Sequence, residues 1–298
     1  NNGCIGTPIN FVITVNPAPL VPAQAITTCS GNAFTVSLIN NPPSVILPLG
    51  TTFTWTVSSP VGINGASNQS TPVSSIGQTL VNTTNAPINV IYTITASIGT
   101  APSTCSSNFT LTVTVNPRPQ IPNQTLSVCS GNAFNLSLSN NPPSIILPSG
   151  TTYNWTVTAP AGITGASNQN TPISNIGQTL LNSTSNPINV IYNITATSGS
   201  GSNTCSSNFT LTVTVNPAPS ATISGNASVC QNSNSAVITF TGLNGVAPYT
   251  FTYSINGGSN QTITTTSGNS ITLIAPTSIL GTFNYCLLGV VDSSSSSC

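Results

Sequence analysis

Charge is almost absent from this chain. Its 298 residues hold one Lys or Arg, Arg118, one Asp or Glu, Asp292, and no His. Charged residues make up 1% of the chain, against about 25% in an ordinary globular domain. Nucleic-acid binding draws its affinity from Lys and Arg set against phosphates, so one arginine excludes it. Attachment to anionic lipid fails for the same reason. No run approaches the roughly 20 apolar residues of a membrane span, and the chain opens on Asn1 without a signal-peptide pattern, so no membrane insertion is expected. General acid–base chemistry lacks its usual groups, and the many Ser and Thr hydroxyls have no base to activate them. Cofactor and metal sites lose their ligands too: one Asp does not make a calcium site, and eight cysteines occur without His or a CxxC pair. The reading is that the chain has no catalytic residues, no metal and no cofactor, and is not an enzyme.

What is present is a repeat. Shifted by 100 residues, 27–117 overlays 127–217 without a gap, with roughly seven identical positions in ten. That period is the size of a free-standing domain rather than of a solenoid unit. The stretch CSSNFTLTVTVNPxP closes each copy, at Cys105–Pro119 and Cys205–Pro219, and a looser copy runs from Cys4 to Pro19. The organisation read from it is a closing strand at 1–17, complete modules at 18–117 and 118–217, and a third, different subtype at 218–298 that lacks its closing strand. A strand without its module and a module without its strand have two explanations. The favoured one is a window on a longer tandem chain. The other is a polymer, in which residues 5–16 of one subunit complete the third module of another by strand addition. Against it, Cys4 and Cys298 hold the same repeat position, so the donor would bring a redundant cysteine.

Period two dominates each module. Phe34, Val36 and Leu38 share one face, as do Phe53, Trp55 and Val57, then Ile88, Val90, Tyr92 and Ile94, and then Phe109, Leu111, Val113 and Val115. Many differences between the copies are core-sized exchanges, such as Val45/Ile145, Val73/Ile173 and Val81/Leu181. No amphipathic helix of useful length occurs. Six or seven short one-faced strands need a second sheet to cover them, which predicts an all-β fold of tandem β-sandwiches. Val61–Ser75 reads as a loop. In the third module strands are expected over 236–241, 249–255, 261–265, 270–274 and 282–290, with Asn256-Gly257-Gly258 as a hairpin turn.

Cysteines without metal ligands read as disulfides, which places the chain in an oxidising, extracytosolic compartment. Spacing and context pair Cys29 with Cys105, Cys129 with Cys205 and Cys230 with Cys298, one bridge per module. Cys4 and Cys286 are left unpaired within this chain, Cys286 as a free, partly buried thiol or, alternatively, an intermolecular bridge. The order Cys, Trp, Cys is that of immunoglobulin domains, but here both cysteines flank the sandwich. Arg118 reads as a solvated linker residue, and Trp55 and Trp155 as core residues rather than a sugar-stacking surface. Asn-x-Ser/Thr triplets at Asn82, Asn108, Asn154, Asn193 and Asn208 arise readily in so polar a composition.

The stretches TTYNWTVTAPAGITGA, NVIYNITATSGSGSNTC and SSNFTLTVTVNPAP resemble the PKD-like repeats of very large surface proteins of Bacteroidota. The third module, with SATISGNASVCQNS, APYTFTYSINGGSNQTITTTSGNSITL and GTFNY, is similar to another module of such proteins. The resemblance covers essentially the whole chain. It departs from ordinary PKD domains in lacking an Asp- and Gly-rich turn after the Trp strand. It implies immunoglobulin-like sandwiches, type IX secretion to the bacterial cell surface, and a part in adhesion, gliding or filament formation. The function expected is a structural stalk or filament segment, its modules joined by stiff VNPxP linkers into an extended array. Its partners are neighbouring modules of the same long chain or identical chains in a filament. The alternatives are a module binding surface glycans or protein through inter-strand loops, and a self-assembling fibre subunit using strand exchange.

Overall fold

The computed structural model describes residues 9–13, 15–101, 103–233, 236–294 and 298. The chain divides into two compact units. One comprises Asn1–Pro119 with Asn140–Ser149 and Ser198–Cys205, and the other Gln120–Ser139 with Gly150–Thr197 and Ser206–Cys298.

The first repeat contains β1 (Gln24–Cys29), β2 (Ala33–Val36), β3 (Thr52–Val57), β4 (Ile63–Asn64), β5 (Gln69–Val73), β6 (Ile76–Thr79), β7 (Val81–Asn82), β8 (Ile88–Ile98) and β9 (Cys105–Asn116). A five-stranded sheet runs β1-β9-β8-β3-β5, and the short pairs β2-β6 and β4-β7 supply the opposing layer. Alternation of Thr with Val, Leu and Phe makes these strands, since β-branched and aromatic residues fit a pleated, half-buried surface. In β8 and β9 every second side chain is buried: Val90, Tyr92, Ile94 and Ala96 face inward beside Phe109, Leu111, Val113 and Val115. Phe34 from β2 meets the Tyr92 ring edge-on at 5.9 Å, joining the layers. Burying each such side chain contributes about 1.5–3 kcal/mol.

The second repeat copies this plan with β10 (Gln124–Cys129), β11 (Ala133–Leu136), β12 (Thr152–Val157), β13 (Ile163–Thr164), β14 (Gln169–Ile173), β15 (Ile176–Thr179), β16 (Leu181–Asn182), β17 (Ile188–Ser198) and β18 (Cys205–Asn216). Its large sheet runs β10-β18-β17-β12-β14. The third repeat differs: β19 (Ser220–Ser224), β20 (Val237–Leu243), β21 (Thr250–Ile255), β22 (Gln261–Thr264), β23 (Ser270–Ile274) and β24 (Tyr285–Val291) form two three-stranded sheets, β19-β20-β23 and β22-β21-β24. Phe240 of β20 packs on Phe251 and Tyr253 of β21, with ring centroids 5.6 and 5.0 Å apart. The fold is all-β, built of tandem immunoglobulin-like sandwiches.

Two local expectations change. Val61–Ser75 is not simply a loop, because it carries β4 and β5. Strand β5 pairs with β3 at the sheet edge, and its middle is exposed, so it shows no inward alternation. Strand β19, inside the third module but ahead of the first strand expected there, pairs with β20 over its whole length. Of residues 1–17, those described, 9–13 and 15–17, form no strand.

Candidate functional site: a disulfide staple at the strand ends

One feature of the sheet decides the cysteine chemistry. Strand β1 lies parallel to β9, with Gln24 opposite Leu111 and Cys29 opposite Asn116. Cys29 therefore stands at the end of β9 opposite to Cys105, which begins that strand. The eleven steps between Cys105 and Asn116 cover about 36 Å at ~3.3 Å per residue, far beyond the Cα separation a disulfide spans. The expected bridge Cys29–Cys105 does not form, and the same parallel register of β10 on β18 excludes Cys129–Cys205. Instead Cys29 bonds Cys205, with Cα atoms 5.6 Å apart, and Cys129 bonds Cys298, with Cα atoms 5.5 Å apart. Each bridge joins the opening cysteine of one repeat to the cysteine before the closing-strand position of the next. Cys230 is not bonded to Cys298: it is free and exposed, as is Cys286, and Cys105 is free and half-buried. Cys286 is thus more open than its expected partly buried state. Cys4 lies outside the described residues.

The surroundings of the first staple are well bonded. Ser30 N–H donates to the Asn116 carbonyl at 2.8 Å, holding the end of β1 on the end of β9. Ser198 Oγ donates to the Pro117 carbonyl at 3.2 Å. Arg118 is half-buried rather than solvated, and its guanidinium donates to Asn32 Oδ1 at 2.6 Å, a charge-assisted contact. Its Nε has no partner. The Asn-Pro-Arg-Pro linker is therefore pinned by side chains as well as stiffened by proline. Bridges with sequence separations of 176 and 169 close very long loops, each worth about 5 kcal/mol on the chain-entropy account.

Asn82 is a second structural centre that the sequence disguises as a glycosylation triplet. It is buried; its amide donates to the carbonyls of Ala86 at 2.8 Å and Val115 at 2.9 Å, and its Oδ1 accepts from the Thr84 N–H and Oγ1. Asn182 repeats the arrangement with Asn186, Val215 and Thr184. Neither amide is available to a transferase. Trp55 and Trp155 are buried, each indole N–H donating at 3.0 Å to the carbonyl of Ser67 or Ser167, so neither offers a stacking face. Burial pushes the Tyr92 and Tyr192 phenols up to about 12, and each donates to the Oε1 of Gln78 or Gln178.

Asp292 is buried in the third repeat. Its carboxylate accepts from Val246 N–H at 2.9 Å and Ser294 Oγ at 2.8 Å, tying a loop to the segment leading to Cys298. Among the described residues no three His, Cys, Asp or Glu side chains group as metal ligands. Among the described residues no helix is long and apolar enough to cross a membrane. Two clefts stand out. One of about 390 Å³ is lined by Asn154, Asn193 and Asn208 on the β12-β17-β18 face. The other, of about 410 Å³, lies in the third repeat between 225–231, 275–277 and 279–285.

No curated protein matches this sequence. Among solved structures the chain is similar to an endo-fucoidan hydrolase of glycoside hydrolase family 107, at 14% identity and a TM-score of 0.27, covering 69% of this chain and 30% of that one. It thus spans under a third of that enzyme. It is also similar to the titin I-band fragment I67–I69, at 9% identity and a TM-score of 0.28, covering 86% of each. A SusE-like surface-located polysaccharide-binding protein of Bacteroides thetaiotaomicron matches at 11% identity and a TM-score of 0.29, over 78% of this chain and 41% of that one. Scores this low carry no functional argument. The PKD-like domain model matches twice, over residues 26–119 and 126–219, each from within the opening strand to the linker that follows the closing one. The chain belongs to the PKD-like domain family, as two tandem copies followed by a sandwich of another subtype.

Proposed function

We propose that this chain is a structural stalk or filament segment of a secreted, repetitive bacterial surface adhesin, supporting attachment, gliding or filament formation. The observation that supports it is the staple Cys29–Cys205, which ties the opening strand of one repeat to the foot of the next repeat's closing strand. Such bridges stabilise any secreted domain, and in a tension-bearing one they also supply covalent continuity at the strand ends. The resemblance to Bacteroidota surface repeats adds the cell surface and type IX export to this reading. Its partners are neighbouring modules and identical chains, and it works without catalysis, metal or cofactor.

A glycan array probed with the purified chain tests the assignment. A stalk gives no saturable binding. Saturable binding of a surface glycan that is abolished by substitutions in 61–75 or 161–175 would replace it with the binding-module reading.

A further inference from the structure

Ile9, Phe11, Val12, Ile13 and Val15 are apolar side chains with nothing packed on them. Ile9, Phe11, Ile13 and Val15 are 92%, 87%, 75% and 87% exposed. Their counterparts one repeat on, Phe109, Leu111, Val113 and Val115, are the inward face of β9, which lies between β1 and β8.

The third repeat has the matching gap. Strand β24 occupies the place of β8: Ile255 pairs with Tyr285 as Val57 pairs with Tyr92. Yet β24 has only β21 beside it among the described residues, and its inward Tyr285, Leu287 and Val290 are half-exposed, whereas the inward side chains of β8 are fully buried. The segment 225–230, in the place of β1, forms no strand, and the cleft of about 410 Å³ lies against it and Tyr285.

The cysteines supply an independent indication. In both completed staples the opening cysteine lies opposite the last Asn of a closing strand and bonds the next foot cysteine: Cys29 opposite Asn116, bonded to Cys205, and Cys129 opposite Asn216, bonded to Cys298. Cys105 is a foot cysteine, and its Sγ already stands 4.0 Å from the carbonyl of Asn16, the equivalent Asn. It lacks only an opening cysteine. Cys230 is an opening cysteine, free and exposed, lacking only a foot.

We propose that residues 9–16 of one copy of this chain insert between 225–230 and β24 of a second copy, and that Cys105 of the first then bonds Cys230 of the second. The occupant is a second copy because the junction continues the staples already inside the chain. It follows the β1-β9 register, with Gly225 opposite Phe11, Ala227 opposite Ile13, Val229 opposite Val15 and Cys230 opposite Asn16. Cys298 is already bonded to Cys129, so the incoming strand is needed only from Ile9 onward and the redundancy of Cys4 is no obstacle. With a formal net charge of +0, copies do not repel one another. The bond needs an oxidant, a small disulfide such as oxidised glutathione. The Cys105 thiolate attacks it and expels one glutathione thiolate. The Cys230 thiolate then attacks the Cys105 sulfur and expels the second, so two protein thiols lose two electrons and two protons while one glutathione disulfide becomes two thiols.

The inference extends the stalk reading to a covalent filament, and its failure would leave a monomeric stalk intact. The test is non-reducing electrophoresis and peptide mapping of the purified chain in a glutathione redox buffer. It predicts a head-to-tail ladder carrying a Cys105–Cys230 peptide. C105S and C230S each stay monomeric alone, and an equimolar mixture of the two stops at a dimer. Phe11→Asp, at an exposed position that leaves folding untouched, lowers the rate of ladder formation at least tenfold with both cysteines present. Monomers only, bridges through Cys286 or between two Cys105 residues, or undiminished ladders from Phe11→Asp would overturn it.

Discussion

The staples make a mechanical prediction that separates them from every within-repeat pairing. Held by both ends, the reduced chain has about 297 residue steps to extend, roughly 100 nm at ~3.4 Å per residue. With both bridges closed, the shortest covalent path runs to Cys29, across to Cys205, back along the chain to Cys129 and across to Cys298. That path has about 104 steps, so full extension stops near roughly 36 nm. Bridges within each repeat would stop it near roughly 27 nm. Cys105→Ser sharpens the contrast: it leaves the limit at roughly 36 nm here, whereas with within-repeat bridges it would lengthen the limit to roughly 53 nm. Optical-tweezers extension of single tethered chains, with and without reductant, measures these lengths, and single tethers keep intermolecular bridges out. An oxidised limit near 27 nm, or any lengthening in Cys105→Ser, would refute the staple.

Asn82→Ala removes an amide that serves two carbonyls and leaves the buried Val115 carbonyl unpaired, so it destabilises the first repeat by about 2–3 kcal/mol. Urea unfolding measures this; a loss under about 0.5 kcal/mol would contradict the role given to Asn82. The raised phenols give a pH dependence. Burial holds the Tyr92 and Tyr192 phenols neutral up to about 12, so the unfolded chain ionises first, near its ordinary value of 10.0. Stability is then complete below pH 10 and falls as pH rises through 12. Thermal melts across that range should show a declining Tm, absent in a Tyr92→Phe/Tyr192→Phe double variant; an equal decline in the variant would place the cause elsewhere.

Much of the fold is legible in the alternation of Thr with apolar residues, because period two places side chains on a sheet whatever its partners are. β3, β8 and β9 and the buried Trp55 follow directly from it. Strand β5 does not, because an edge strand with an exposed middle has no inward face to write into the sequence. The disulfide pairing is hidden for a different reason. Equal spacing between cysteines says nothing about strand direction, and the parallel pairing of β1 on β9 moves Cys29 a full strand length away from Cys105. Cys29 ends its strand and Cys105 begins its own, so an antiparallel pairing would have brought the two together and only the parallel one parts them. Arg118 reads as solvated and Asn82 as a chance Asn-x-Thr triplet for want of any pattern: their partners, Asn32 and Val115, are distant in sequence and are supplied by the packing.

Covalent bridges run from each repeat to the next rather than within it. Non-reducing peptide mapping by mass spectrometry, with free thiols blocked before unfolding, tests it directly. The expected result is one linked peptide pair containing Cys29 and Cys205, a second containing Cys129 and Cys298, and blocked thiols at Cys105 and Cys230 in the monomer. Linked pairs joining Cys29 to Cys105 and Cys129 to Cys205 would contradict it.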